Sequence, residues 1–196
     1  MIADPVTIAD VFRRLRLREE WVRWAQPFES AWATAVASCE DTSLLFVLYG
    51  HLVEADLAPP EPAVLCGCEQ ARQTLPDSPL GDTVRAHLEQ AEAACRGERI
   101  LAADLIARVR KIERMGHPTL TRPSEYAVAA GAQMARAREC QTSNQAHAHA
   151  LAIRWAADVW LRSRTEALTI VHRRLGGALV EGGRSLGEVV LKEEPA

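Results

Sequence analysis

The segment Thr142–Leu175, TSNQAHAHALAIRWAADVWLRSRTEALTIVHRRL, decides the fold. It runs 34 residues without proline or glycine, and Gly176-Gly177 follow it as a helix-stop signal. A continuous helix of that length, rising about 1.5 Å per residue, would span roughly 50 Å. Arg154, Asp158, Arg162 and Glu166 recur at steps of four, with Thr169 and Arg173 near the same line. This places alternating charges on one stripe, where neighbours pair weakly. Ile153, Ala157, Trp160, Leu168, Val171 and Leu175 form the opposite face, flanked by Trp155 and Val159. So broad an apolar face belongs to a helix buried against several others.

Working outward, the same periodicity recurs along the chain. Asp4-Pro5 is a helix-start signal ahead of Val6, Ile8, Val11, Phe12 and Leu15. Residues 5–38 read as two helices or one kinked at Pro27. Asp41-Thr42-Ser43 caps a helix that ends near Leu57, before Pro59-Pro60. Further helices are expected from Pro62 to Leu75, Leu80 to Arg96 (stopped by Gly97) and Ile100 to Met115 (stopped by Gly116). His117–Pro123 reads as a loop, and Ser124–Cys140 as an Ala-rich helix that joins or runs into the long one. Val189-Val190-Leu191 is the one strand-like run. The expectation is an all-α fold: a helical bundle or stacked helical hairpins of about eight helices, with the long C-terminal helix near 142–175. Residues 1–180 form one domain and 181–196 a flexible tail.

An internal echo accompanies this pattern. Ala63-Val64-x-x-Gly67-x-x-x-Ala71-Arg72 recurs as Ala127-Val128-x-x-Gly131-x-x-x-Ala135-Arg136, displaced by 64 residues. Glycine inside a helix costs up to about 1 kcal/mol relative to alanine, so glycines at matching places point to close helix approach. A duplicated unit, 63–72 echoing 127–136, and chance in an Ala- and Arg-rich chain both account for the match.

Composition bounds the function. With 48% hydrophobic and 25% charged residues the chain reads as an ordinary soluble globular protein. A net charge of −3 gives no support to nucleic-acid binding. No apolar run approaches the ~20 residues of a membrane span, and the start lacks the basic region of a signal peptide. Five scattered cysteines, Cys39, Cys66, Cys68, Cys95 and Cys140, suit reduced, cytoplasmic usage as small hydrophobes.

Catalytic and metal motifs are missing. His147 and His149, two apart on a helix, point about 200° from one another and cannot share an ion. The plain reading is one surface and one half-buried histidine. Cys66 and Cys68 split in the same way, and core packing accounts for them. His51 with Glu54, and His87 with Glu92, match neither H-E-x-x-H nor the E-x-x-H of di-iron bundles. No nucleophile elbow, P-loop or dinucleotide fingerprint occurs. No metal and no cofactor is expected. Two basic clusters, Arg13–Arg14–Arg16–Arg18 and Arg108–Arg110–Lys111–Arg114, read as solvated faces, the second complementing a helix C-terminus. The chain has five tryptophans among ten aromatics, most of them core anchors. Trp and Arg are also the residues enriched at interface hot spots, which nominates Arg18, Trp21 and Trp24 as interface residues.

The segments Cys66-Gly-Cys-Glu-Gln-Ala-Arg-Gln-Thr-Leu-Pro76 and Arg85-Ala-His-Leu-Glu-Gln-Ala-Glu-Ala-Ala-Cys-Arg-Gly-Glu98 resemble the Ala-rich helical domains of immunity proteins in bacterial toxin systems. The resemblance covers about residues 64–112, and extends to 124–160. Ala130-Gly131-Ala132 keeps that family's glycine without its histidine, and no functional residue carries over. The resemblance implies a small helical protein that binds another protein. The expected function is therefore non-enzymatic: a cytoplasmic partner-binding protein, such as a toxin-neutralising immunity or defence-system accessory protein, acting by occlusion. The alternatives are a structural subunit of a homo-oligomer or larger complex, and a helical metal-dependent enzyme using His51, His87, His149 and nearby acids.

Overall fold

The computed structural model describes residues 6–116, 118–140, 142–162 and 168–192. Among the described residues the fold is all-α, with ten helices and no strand. They are α1 (Ile8–Arg14), α2 (Glu19–Ala25), α3 (Trp32–Ser38), α4 (Thr42–Glu54), α5 (Glu61–Gln73), α6 (Pro79–Cys95), α7 (Ala102–Glu113), α8 (Pro118–Glu139), α9 (Thr142–Arg162) and α10 (Leu168–Lys192). A 3₁₀ turn at Gln26–Phe28 follows α2. No helix among the described residues is long and apolar enough to cross a membrane.

The ten helices exceed the expected eight because residues 5–38 hold three, through backbone stops that carry no glycine, and because α9 and α10 are described separately where one helix over 142–175 was expected. Arg16 (φ 54°) ends the α1 region and Glu29 (φ 48°) separates the 3₁₀ turn from α3. Around Arg16, Leu17 N–H reaches back to Phe12 C=O and Arg16 N–H to Arg13 C=O, the bonding of a Schellman stop. Asp56 (φ 55°) ends α4 in the same way, through Leu57 N–H to Leu52 C=O. At Gly97 (φ 91°) and Gly116 (φ 70°) the expected glycines do stop helices. Helix starts follow the usual side-chain logic. Thr7 and Asp10 form a capping box on α1, Asp41 accepts from Ser43 and Leu44 N–H, and Ser78 accepts from Gly81 N–H. The expected cap at Asp4-Pro5 lies outside the described residues.

Four sequence expectations are corrected. Gly176-Gly177 do not end a helix, because α10 continues through them to Lys192. The proposed tail from 181 is helical through Lys192, and so is the strand-like Val189-Val190-Leu191. The reason is packing. A Cβ at Gly183 would lie 2.5 Å from the Trp32 ring, and one at Gly182 2.9 Å from Leu52. These glycines let α10 press onto α3 and α4, and Leu179 and Leu186 are buried beside them. Finally, the loop expected at 117–123 is helical from Pro118, with Pro123 inside α8. A proline so near the start removes only one ladder bond. Whether one helix links Arg162 to Leu168 lies outside the described residues.

The echoed glycines occupy reciprocal contacts. A Cβ on Gly67 of α5 would lie 3.3 Å from Ala156 of α9, and one on Gly131 of α8 only 2.5 Å from Ala91 of α6. The partners are displaced like the glycines, by 64 residues from Gly67 to Gly131 and 65 from Ala91 to Ala156. The hairpins α5–α6 and α8–α9 thus each set a glycine against the second helix of the other. Polar ties reinforce the assembly. Arg72 of α5 pairs with Glu92 of α6 at 2.6 Å, and Arg138 of α8 donates to the last carbonyls of α6, at Ala94 and at Cys95 (3.1 Å). Glu69 of α5 takes bonds from Arg174 (2.8 Å) and Arg173 of α10. Burial pushes the Glu69 carboxyl up, but those two arginines outweigh it and hold it below the usual range.

Two glycines should respond oppositely to alanine. Gly131→Ala must displace Ala91, Cα included, and is expected to cost about 1–3 kcal/mol. Gly50→Ala meets nothing within 4 Å on a regular helix, and should stabilise by about 0.5–1 kcal/mol. Urea unfolding of both variants reads the signs. A tolerated Gly131→Ala would contradict the close approach.

Candidate protein-binding groove

Helix α9 buries Ala152, Ala156 and Val159, and Gly67 of α5 meets Ala156 and Val159. A different strip of α9 faces α4, and between them runs a largely apolar cavity. It measures about 440 Å³ and is walled by Phe46, Val47 and Gly50 of α4, Ile153, Ala157 and Trp160 of α9, and Trp21 of α2. Arg18, Glu54 and Arg154 supply its charged positions, and His51 adds an imidazole. A second recess of about 260 Å³ shares Gly50, Glu54, Ala150 and Ile153, and continues to Asp56, Gln145 and His149. Together they make one groove along the α4–α9 seam. Its depth follows from small residues: Gly50, Ala150 and Ala157 stand where larger side chains would close it.

One end is built around Asp41. Its Oδ1 caps α4, while its Oδ2 accepts the Trp21 indole N–H at 2.8 Å. This fixes the Trp21 wall against the start of α4, and a hydrogen bond to a charged acceptor is among the stronger kind. The Arg18 guanidinium lies 5.0 Å from the Trp21 ring centroid, a cation–π stack. Phe46 and Trp160 meet across the seam with ring centroids 6.1 Å apart. Trp160 buries its own indole N–H, which has no acceptor among the described residues.

Of the three nominated interface residues, Arg18 and Trp21 line the groove. Trp21 does so as a buried wall, 8% exposed, rather than as a projecting anchor. Trp24 faces elsewhere: it stacks on Phe12 and tilts against Phe28, with centroids 5.0 Å apart in the second pair. Arg154 and Trp160 were legible in the sequence only as a charge stripe and a core face. Gly50, a glycine in the interior of α4 that sequence reasoning passes over, is the residue that could have marked the recess.

Among the described residues the histidines do not gather. His51 Nδ1 lies 3.3 Å from Glu54 Oε2, and His149 lines the far recess, half-buried, with His147 exposed as expected. Ser43 also lines the groove, but eight residues from His51 on α4 it stands about 12 Å away along the axis, out of reach for proton transfer. His87 of α6 is remote from the groove and faces a cation. Arg108 Nη1 lies 3.1 Å from its Nδ1, so that nitrogen accepts and the proton sits on the buried, unpartnered Nε2. Among the described residues no group of three or more His, Cys, Asp or Glu is placed to hold a metal. Burial pushes the thiols up, Cys39 to about 11, Cys66 and Cys95 to about 12, and Cys68 well above the ordinary value. They stay protonated at neutral pH and act as core, as read from the sequence.

Comparison of the chain with protein-family models, curated proteins and solved structures returns no significant match.

His87 makes stability pH-dependent. Burial first, then Arg108 and Lys111, hold its pKa below the ordinary 6.5. Between the lowered folded value and 6.5 the unfolded chain binds the extra proton, so stability is full above that range and falls as pH drops through it. Unfolding midpoints should decline from about pH 7 to about pH 5, and His87→Gln should flatten that decline. An equally steep profile in the variant would contradict the assignment.

Proposed function

We propose that this chain is a non-enzymatic helical protein that binds a protein partner, and that the α4–α9 groove receives an apolar segment of that partner. The observation that supports this reading is an open recess of about 440 Å³, already formed in the free chain, with aromatic walls and arginines at its rim. Helix-in-groove recognition uses such a seam, with anchors inserted at helical spacing. Rigid walls reduce the ordering cost of binding. Trp21 held by Asp41, and Trp160 packed near Phe46, are walls of this kind. The action is occlusion: a partner held along the groove presents that segment to nothing else. A toxin-neutralising immunity or defence-system accessory protein works in this way, which is the role the sequence resemblance implies.

Filling the groove tests it. Gly50→Leu places a side chain in space that is empty on α4 and should leave the fold intact. Tagged protein should capture a stoichiometric partner from native lysate, and the variant should lose it while keeping its helicity by circular dichroism. Capture unchanged by Gly50→Leu would move the binding surface elsewhere.

A further inference from the structure

The groove is polarised, and that polarity specifies the chemistry of what it holds. The half nearest Trp21 carries Arg18 and Arg154. The far half carries Asp56 and neither arginine. Glu54 stands where the halves meet, 3.3 Å from His51 Nδ1. Arg154 is exposed and makes no ion pair among the described residues. Among the described residues Arg18 pairs only with Glu20, at 3.4 Å with both side chains largely exposed, while its guanidinium lies over the Trp21 ring. Such a surface pair is weak and readily exchanged for a better acceptor. The near half therefore offers the positive charge of Arg18 and Arg154 around an apolar recess; Asp41 is committed to Trp21 and the start of α4, Glu20 to the weak pair with Arg18, and the acid that lines the recess, Glu54, lies at the junction.

We propose that the groove selects an acidic amphipathic segment of the partner protein. An apolar anchor sits between Gly50 and Ile153, and a carboxylate beside it is held by Arg18 and Arg154. Guanidinium groups suit this task, because they grip carboxylates in a planar, two-pronged fashion. The far half, with Asp56, disfavours a second acid there, so the segment lies in one direction along the seam. The inference rests on the groove reading above and deepens it by naming the partner's chemistry.

The test uses the full chain and two fluorescein-labelled amphipathic peptides of about twelve residues, some 18 Å as helices. They share one apolar pattern, and carry glutamate or lysine at the flanking positions. The acidic peptide should bind roughly tenfold more tightly than the lysine peptide, a preference that weakens at high salt. Arg18→Glu with Arg154→Glu should abolish or invert the preference, while lysine at both positions should retain part of it. Both side chains are largely exposed, so these variants should keep the fold, with circular dichroism as the check. Equal affinities, a lysine preference, no binding of either peptide, or saturable binding of dodecanoate alone would each overturn the proposal. Gly50→Leu separates the two levels. Peptide binding without charge preference that Gly50→Leu abolishes sinks the charge inference and leaves the groove standing. Binding that survives Gly50→Leu sinks the groove.

Discussion

Close approach of helices at Gly131 and Gly67 is the constraint on which the remaining structure depends. A single added carbon at Gly131 would sit 2.5 Å from the Ala91 side chain, so α8 and α6 meet at nearly backbone distance. Gly67 brings α5 to Ala156 of α9 by the mirrored arrangement. Two consequences follow. The four helices lock as interleaved hairpins, which fixes the rotation of α9 about its axis. That rotation buries Ala152, Ala156 and Val159, and leaves Ile153, Arg154 and Ala157 along the edge facing α4. The groove is therefore a by-product of how α9 is held from behind.

A second layer of the fold seals the other flank. α10 crosses α4 and α3 by means of its own glycines, with Trp32 and Leu52 filling the space that Cβ atoms at Gly183 and Gly182 would need. Leu52 turns toward α10 from the same helix that presents Val47 and Gly50 to the groove, so α4 is a shared wall. Asp41 then sets where that wall begins, capping α4 and gripping Trp21 with the same carboxylate. A helix cap is usually worth about 1 kcal/mol. Here it also positions an aromatic face and the arginine stacked upon it.

Much of this was legible in the sequence, and the failures share a cause. The all-α class, the helix stops at Gly97 and Gly116, the close approach at the echoed glycines and the burial of Cys66 and Cys68 all follow from local pattern. Glycine is ambiguous, however. At Gly97 it relieves a left-handed turn, while at Gly182 and Gly183 it makes room for a neighbour, and only the tertiary partner decides which. Conversely, Arg16, Glu29 and Asp56 adopt left-handed conformations without glycine, so those breaks carried no signal. The groove was harder still. Arg18 and Trp21 were nominated for composition alone, Trp24 with them, and the structure separates them because Trp24 turns to Phe12 and Phe28. The opposing wall comes from residues about 110 positions later, and no local pattern relates Gly50 to Ala157.

The most direct measurement of the central claim is hydrogen exchange on the protein with and without its captured partner. Binding in the groove predicts slowed exchange in residues 47–54 of α4 and 150–160 of α9, with α7 unchanged. Protection centred on α7 or on α10, with the α4–α9 seam exchanging as in the free chain, would contradict it.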